Sequence, residues 1–240
     1  MSKNILIVGA SFGIGRQLAL EYLEEQNNLI LAARSLDKLR NLAGDNAKVF
    51  GCDVTNLENN HDLAGFVGEN FKVIDMVIYC AGVYEPMKVE NFELKKALEI
   101  QNVNFDGFVK FFDAILPLIK QKKVKKLAVT SSIAGYFGMP NSMCYGASKA
   151  ALSNFVEGLY YSLKKYGCKV QLINPGFVKS RLTDKNQFEM PGILTTEKAA
   201  QIIVKGLESN RFEIKFPFLF ANFMKLMAKF PTKFRGLIFK

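Results

Sequence analysis

Tyr145 and Lys149 stand four residues apart in a stretch with helical periodicity, which brings both side chains to one face. An ammonium beside a phenol favours the phenolate and lowers its pKa from the usual value of about 10. A tyrosine tuned this way can give a proton to a nascent alkoxide, or take one from an alcohol, near neutral pH. The spacing alone is weak, because any amphipathic helix can carry it by chance. The run Thr130-Ser131-Ser132-Ile133-Ala134-Gly135 adds three hydroxyls at the end of an apolar segment ahead of the pair. His61 is the sole histidine, which leaves no Ser-His-Asp arrangement and no multi-histidine metal site. It reads as a surface or helix-start residue.

Such a pair needs a scaffold, and the apolar segments supply one. Residues Asn4 to Val8 form a short apolar run that ends in Gly9-Ala10-Ser11-Phe12-Gly13-Ile14-Gly15, and Arg16 to Glu25 is helical in period. This is strand, glycine turn, helix. The alternation continues with strands at 29–33, 48–50 and 75–79 and helices at 36–42 and 57–71. A helical stretch over about 93–121, a strand at 126–130, a long helix over about 142–166, a strand at 169–173 and a helix at 195–209 follow. Strands alternating with helices along the whole chain specify an α/β fold, a doubly wound parallel sheet covered on both faces. One catalytic domain over residues 1–215 and a basic amphipathic extension over 216–240 are expected.

The glycines have a physical reason to be where they are. Backbone without Cβ lets a pyrophosphate approach the positive end of the first helix and lets that helix pack on the sheet. A plain tight turn is the competing reading. The four cysteines, Cys52, Cys80, Cys144 and Cys168, are scattered without a CxxC pair and read as small core residues, so no disulfide and no metal site are expected.

At 240 residues, 49% of them hydrophobic, one unit can bury roughly 70–75% of its unfolded surface. No apolar run approaches the roughly 20 residues that span a bilayer, and Ser2-Lys3-Asn4 passes straight into Ile5-Leu6-Ile7-Val8 without a signal-peptide layout. A cytoplasmic protein is expected. The formal net charge of +10 favours anionic partners such as phosphates, lipid headgroups or acidic carrier proteins. No recognisable motif interleaves basic and aromatic residues for nucleic acid, so no nucleic-acid role is expected.

The spacing G-x-x-x-G-x-G resembles the short-chain dehydrogenase/reductase family, whose fingerprint carries a threonine where this chain has Val8. The resemblance implies a single Rossmann-like domain, a nicotinamide cofactor and hydride transfer directly to or from a carbonyl carbon. It places Ser11, Phe12 and Ile14 with the three glycines at the cofactor. Asp53 and Val54 match the family's D-V pair, which implies that Asp53 bonds the adenine amino group; a helix-capping role is the alternative. Ala81 and Gly82 match half of N-N-A-G, with Tyr79 and Cys80 in place of the asparagines, and would let the adenosine ribose lie close to backbone. Pro175, Gly176 and Val178 match the segment that meets the carboxamide, with Ser180 where threonine is common.

Ser132, thirteen residues before Tyr145, has the family's spacing and would bond the substrate oxygen, with Ser131 the neighbour that points away. Asn104, in Asn102-Val103-Asn104-Phe105-Asp106-Gly107, would hold a water that links Lys149 to solvent, Asn102 being the alternative. Ala33 stands where an NAD-dependent member carries an acid, and the next residue, Arg34, can bind a 2′-phosphate with two hydrogen bonds, aided by Ser35. NADP(H) is therefore expected over NAD(H), with a surface arginine as the bland alternative. A homodimer or homotetramer is implied.

Apolar residues at Tyr136, Phe137, Met139 and Met143, and in the loop 179–193, point to a hydrophobic carbonyl or alcohol, or else to a packed lid or subunit contact. In the extension, Phe220, Phe223, Leu226, Met227 and Phe230 recur at helical spacing with Lys225 and Lys229 between them, followed by Lys233 and Arg235. Such a segment fits shallow contact of residues 216–235 with an anionic membrane surface; packing on the domain or on a partner subunit is the alternative. A nucleotide-binding redox sensor of the same fold is the second functional reading, which the intact Ser132, Tyr145, Lys149 and Asn104 set disfavours.

Overall fold

The apolar runs pair as seven parallel strands in the order β3-β2-β1-β4-β5-β6-β7, as a computed structural model describing residues 2–45, 47–186 and 188–239 shows. The strands are β1 (Asn4–Val8), β2 (Asn28–Ala33), β3 (Ala47–Gly51), β4 (Met76–Tyr79), β5 (Lys126–Thr130), β6 (Lys169–Pro175) and β7 (Glu213–Phe216). Alternating side chains leave on opposite faces, so each central strand supplies two cores. Leu6, Ile30, Val77 and Leu127 pack under α3 (Leu57–Asn70), α5 (Gly107–Lys120) and α6 (Met143–Ser162). Ile5, Ile7, Leu29 and Ile78 pack under α1 (Gly13–Glu24) and α7 (Thr196–Glu208). The remaining helices are α2 (Leu36–Ala43), α4 (Leu94–Gln101), α8 (Phe218–Met227) and α9 (Thr232–Arg235).

Strand order reverses between β1 and β4, and such a switch point opens a crevice at the carboxyl ends of the strands. The long helical stretch before β5 is interrupted by a π-helical turn, Asn102–Asp106, between α4 and α5. β7 lacks a sequence signal of its own: it is a four-residue edge strand, half of it only partly buried, and it carries the sheet across residue 215.

The extension differs from the single helical stripe expected. α8 ends at Met227, so Phe230 lies beyond it. Ala221 and Met224 face inward on Ile133 and Phe137, whereas Phe223 and Leu226 are exposed.

Cys52 and Cys168 are buried, Cys80 and Cys144 partly so, and all four thiols are free. His61 lies on α3, exposed, 3.2 Å from Asp113.

Tyr79 shows what replaced the usual asparagine. Its ring packs on Phe108 and Phe111 at 5.0 and 5.3 Å, and its buried hydroxyl lacks a hydrogen-bond partner. An unsatisfied buried hydroxyl costs about 1–3 kcal/mol. Tyr79→Phe is expected to stabilise the protein by about 1 kcal/mol, read as a higher urea midpoint with an unchanged slope; a lower midpoint would show that the hydroxyl is satisfied in solution.

Candidate active site

The turn after β1 is built by backbone packed on backbone. Gly9 has φ +86°, and a Cβ there would lie 2.5 Å from the Ala81 nitrogen. One on Gly15 would lie 2.4 Å from the Gly9 carbonyl oxygen. Side chains are thus excluded where β1, α1 and the segment after β4 meet. Phe12 occupies the N-cap of α1 without a side-chain cap, so the first-turn N–H groups face the crevice uncapped. Ser11, Phe12, Gly13, Ile14 and Gly15 line a cleft of about 970 Å³ there. These groups fit a dinucleotide pyrophosphate: donors, a positive helix end and space that a Cβ would fill.

The cleft continues along both sides of the switch point. Arg34, exposed at the end of β2, and Ser35 line one end, with Asp53 and Val54 beside them. Asp53 Oδ1 accepts from the Thr55 backbone and hydroxyl at 2.9 and 2.8 Å. The cap of α3 is Asn56, which accepts from the Asn59 nitrogen at 3.0 Å, so the helix-capping reading of Asp53 is corrected. Ala81 and Gly82 follow β4; Pro175, Gly176 and Val178 follow β6, with the Gly176 nitrogen donating to Phe216 at 2.7 Å.

At the other end lie Ser132, Tyr145 and Lys149. Lys149 Nζ stands 5.8 Å from the centre of the Tyr145 ring, as the four-residue spacing required. It is buried and donates to the Thr130 carbonyl at 3.1 Å. Burial pushes this ammonium down to about 8. The phenol departs from expectation: burial pushes Tyr145 up to about 12, against the downward pull of the Ser132 hydroxyl, and the nearby Tyr84 adds to the rise. Desolvation of the phenolate outweighs the hydrogen bond from Ser132 here.

Strand alternation separates the two serines. Ser131 Oγ donates to the Lys149 carbonyl at 2.9 Å and pairs with Ser153 Oγ at 2.8 Å, tying α6 to the end of β5. Ser132 Oγ, by contrast, acts on the Tyr145 phenol and donates to the Pro175 carbonyl at 3.3 Å.

Asn104 is fully buried in the π-helical turn. Its oxygen accepts from the Val83 nitrogen at 2.7 Å, and its Nδ2 donates to the Val83 carbonyl at 2.9 Å and to Ser148 Oγ at 3.0 Å. Asn102 instead lies 3.4 Å from Lys110 Nζ. The Asn104 amide is therefore a clamp between the segment after β4 and α6, with both Nδ2 hydrogens taken by protein and one lone pair of its oxygen left.

Three features escaped the sequence. Arg181, from the loop after β6, stacks over the Phe12 ring, with Lys38 3.8 Å from the same ring centre. Tyr84 packs edge-on to Tyr145 at 4.9 Å and donates to Asn186 at 2.7 Å. Arg16 lines the Arg34 end. Only Arg16 had a local signal, one residue after the last glycine of the turn. The loop 179–193 does border the cleft, through Phe188 and Pro191 among others, Gln187 lying outside the described residues.

Comparison with known proteins agrees with this geometry. The family model described as short chain dehydrogenase matches residues 3–190. An uncharacterized oxidoreductase of Myxococcus xanthus is 33% identical over 226 residues, 91% of this chain and 89% of the relative. In fold, the chain is similar to a short chain dehydrogenase from Burkholderia cenocepacia solved in complex with NADP, at a TM-score of 0.88 and 20% identity over 100% of this chain and 98% of that one. A short chain dehydrogenase/reductase from Burkholderia phymatum, in complex with NAD, gives 0.84 at 22% identity over 95% and 93%.

The buried ammonium has a stability consequence. Its folded pKa of about 8 lies below the ordinary 10.5, so the unfolded chain binds more protons between those values and stability from this group rises with pH across that window. Below about pH 8 the full cost is present, about 3 kcal/mol from the shift. Lys149→Met removes that cost and loses one hydrogen bond worth about 1 kcal/mol. It is expected to exceed the wild type by about 2 kcal/mol at pH 7, with the advantage gone at about pH 10 and the wild type the more stable above that. Urea unfolding across that range checks it, and a pH-independent gap would contradict the shift.

Proposed function

The chain belongs to the short-chain dehydrogenase family, and we propose that it is an NADP(H)-dependent oxidoreductase acting on a carbonyl or alcohol through Ser132, Tyr145, Lys149 and Asn104. The observation that carries this reading is the meeting of a phenol, a serine hydroxyl and a desolvated ammonium at one end of a cleft whose other end is a glycine cradle. When bound, the nicotinamide supplies or accepts the hydride.

The chain's own groups then have separate tasks. Ser132 donates a hydrogen bond to the substrate oxygen and orients it. Tyr145, which keeps its proton throughout the neutral range, gives that proton to the oxygen as it gains negative charge. Lys149 holds positive charge behind the phenol and returns a proton to it. In this reading the Asn104 amide, held by Val83 and Ser148, keeps one oxygen lone pair for the water expected beside Lys149 and also ties the π-helical turn to the segment after β4.

Gly9, Ser11, Phe12, Gly13, Ile14 and Gly15 cradle the pyrophosphate in this reading. Asp53 has one carboxylate oxygen engaged by Thr55 and offers the other to the adenine amino group. Val54, Ala81 and Gly82 flank the adenosine, and Pro175, Gly176 and Val178 meet the carboxamide. The two fold neighbours carry NADP in one case and NAD in the other, so the preference for NADP(H) rests on Arg34 beside Ala33, with Arg16 adding positive charge. Phe92, Leu94 and Leu98, exposed around the start of α4, support a homodimer or homotetramer.

Tyr145→Phe is expected to lower kcat for NADPH-dependent carbonyl reduction by about 10²- to 10⁴-fold, with nucleotide affinity retained. In the wild type, reductive kcat/KM should stay level up to about pH 8 and fall above it as Lys149 loses its proton. Arg34→Ala should raise the KM for NADPH by about 10- to 100-fold and leave that for NADH unchanged. NADPH absorbance followed over a panel of aldehydes and ketones tests all three. A Tyr145→Phe enzyme of full activity would refute the assignment.

A further inference from the structure

Resting on the oxidoreductase reading, we propose that the substrate is a long-chain, membrane-resident carbonyl or alcohol, and that α8 is the wall through which it enters the cleft from an anionic bilayer surface. α8 has two uses at once. Phe220, Phe223 and Met224 line the cleft, and Phe220 stacks on Phe177 with ring centres 5.9 Å apart. Phe218, Leu219 and Leu226, on the same ten-residue helix, are 71%, 82% and 51% exposed. Phe223 belongs to both sets, lining the cleft while 44% exposed, so apolar surface continues from the outside of the protein to the inside of the cleft.

The apolar surface extends past α8 to Phe230, Phe234 and Leu237, at 43%, 61% and 62% exposure. Residues 216–240 hold seven of the chain's 21 phenylalanines, five cations and no carboxylate. The adjacent carboxylate, Glu213, is already engaged by Lys225, Lys215 and Tyr136, so it does not neutralise the exposed Lys229 and Lys233, while Arg235 is partly buried over the Phe137 ring.

Charge decides between the candidate occupants of this face. A two-fold contact with a second copy would set the same uncompensated cations against one another, which is unfavourable. An anionic lipid surface offers them partners while the phenylalanines and leucines enter the headgroup boundary. No helix among the described residues is long and apolar enough to cross a membrane, so contact would be in the plane of the surface.

The other mouth of the cleft is bridged by polar contacts: Tyr84 donates to Asn186, and Lys185 pairs with Glu85. The apolar route is the one under α8. Each methylene buried along such a route favours binding by roughly fourfold at most.

The test uses the full chain with three readouts. Co-sedimentation with phosphatidylglycerol/phosphatidylcholine vesicles should capture the protein at low salt, with loss on pure phosphatidylcholine or at high salt. Turnover of vesicle-embedded dodecanal should exceed that of butanal in kcat/KM by about a hundredfold or more. A variant carrying Phe218→Ser, Leu219→Ser and Leu226→Ser, residues that face away from the cleft, should lose vesicle binding and dodecanal turnover by about tenfold or more, with butanal turnover unchanged. Lys229→Glu with Lys233→Glu, both exposed, should weaken capture by anionic vesicles without altering the apolar face.

Binding of a pyrene-labelled alkanol in the cleft gives a readout free of catalysis. If the alkanol binds and the vesicles capture the protein but no carbonyl is reduced, the oxidoreductase reading fails and the lipid route stands. If carbonyls are reduced but dodecanal does no better than butanal, or anionic vesicles do not bind the wild type, the route is overturned. Self-association abolished by the triple serine variant, without vesicle binding, would assign the face to a second copy and overturn it equally.

Discussion

The placement of one desolvated cation governs the architecture of this site. Lys149 carries its charge in a position where burial pulls its pKa down to about 8, and the structure offers it a backbone carbonyl in place of a carboxylate. A carboxylate would hold the ammonium more firmly and would also neutralise it as a source of field and protons. The neutral frame leaves the cation with a pKa of about 8. That frame is made by three elements tied together without ions. Asn104 joins the segment after β4 to α6 through Val83 and Ser148, and Ser131 joins α6 to the end of β5 through the Lys149 carbonyl. Gly82 completes it: a Cβ there would lie 3.2 Å from the Asn104 oxygen and 3.4 Å from Lys149 Nζ, so the close approach of loop to cation depends on glycine.

Features of the site set by short-range geometry were legible in the sequence. Four-residue spacing brings Tyr145 and Lys149 to one helical face whatever else the chain does. Gly9 and Gly15 announce themselves because a turn with positive φ and backbone-to-backbone contact tolerates nothing else. The fold class was legible for the same reason, since parallel strands buried on both faces must read as unbroken apolar runs. What stayed hidden depends on neighbours distant in the chain. The direction of the Tyr145 shift turns on burial, which no local pattern encodes. Tyr84 reaches Asn186 across 102 positions, and Phe12 meets Arg181 across a still larger gap. The partners that hold the Asn104 side chain, Val83 and Ser148, were hidden for the same reason.

This division follows the two halves of the cleft. The end with the glycine turn is assembled from the turns that follow β1, β2, β3 and β4, each of them a strand end with its own local conformation. The opposite end is assembled from side chains of the β5 and β6 loops and of α8, brought together by packing. Phe177 stacks on Phe220 from α8, and Ile133 and Phe137 pack on Ala221 and Met224. A backbone-defined half admits little variation, whereas a half made of interchangeable apolar side chains can be repacked without disturbing Ser132, Tyr145 and Lys149.

Glu213 is the point where these two demands are reconciled. It sits on the edge strand β7, partly buried, and accepts hydrogen bonds from Tyr136 in the loop after β5, from Asn174 in β6 and from Lys225 on α8. Burial alone would raise its pKa, but these three donors hold the carboxyl below its usual range, so it remains charged at neutral pH. One carboxylate therefore aligns a helix whose outer face is apolar with a loop that carries Ser132. An apolar contact alone would let α8 slide or peel, because packing of phenylalanines and methionines has little directional preference. A charge-assisted network does have direction. It fixes the orientation in which Phe220 and Met224 turn inward while Phe218 and Leu219 turn out, and that orientation makes the helix at once a wall of the cleft and an exposed surface.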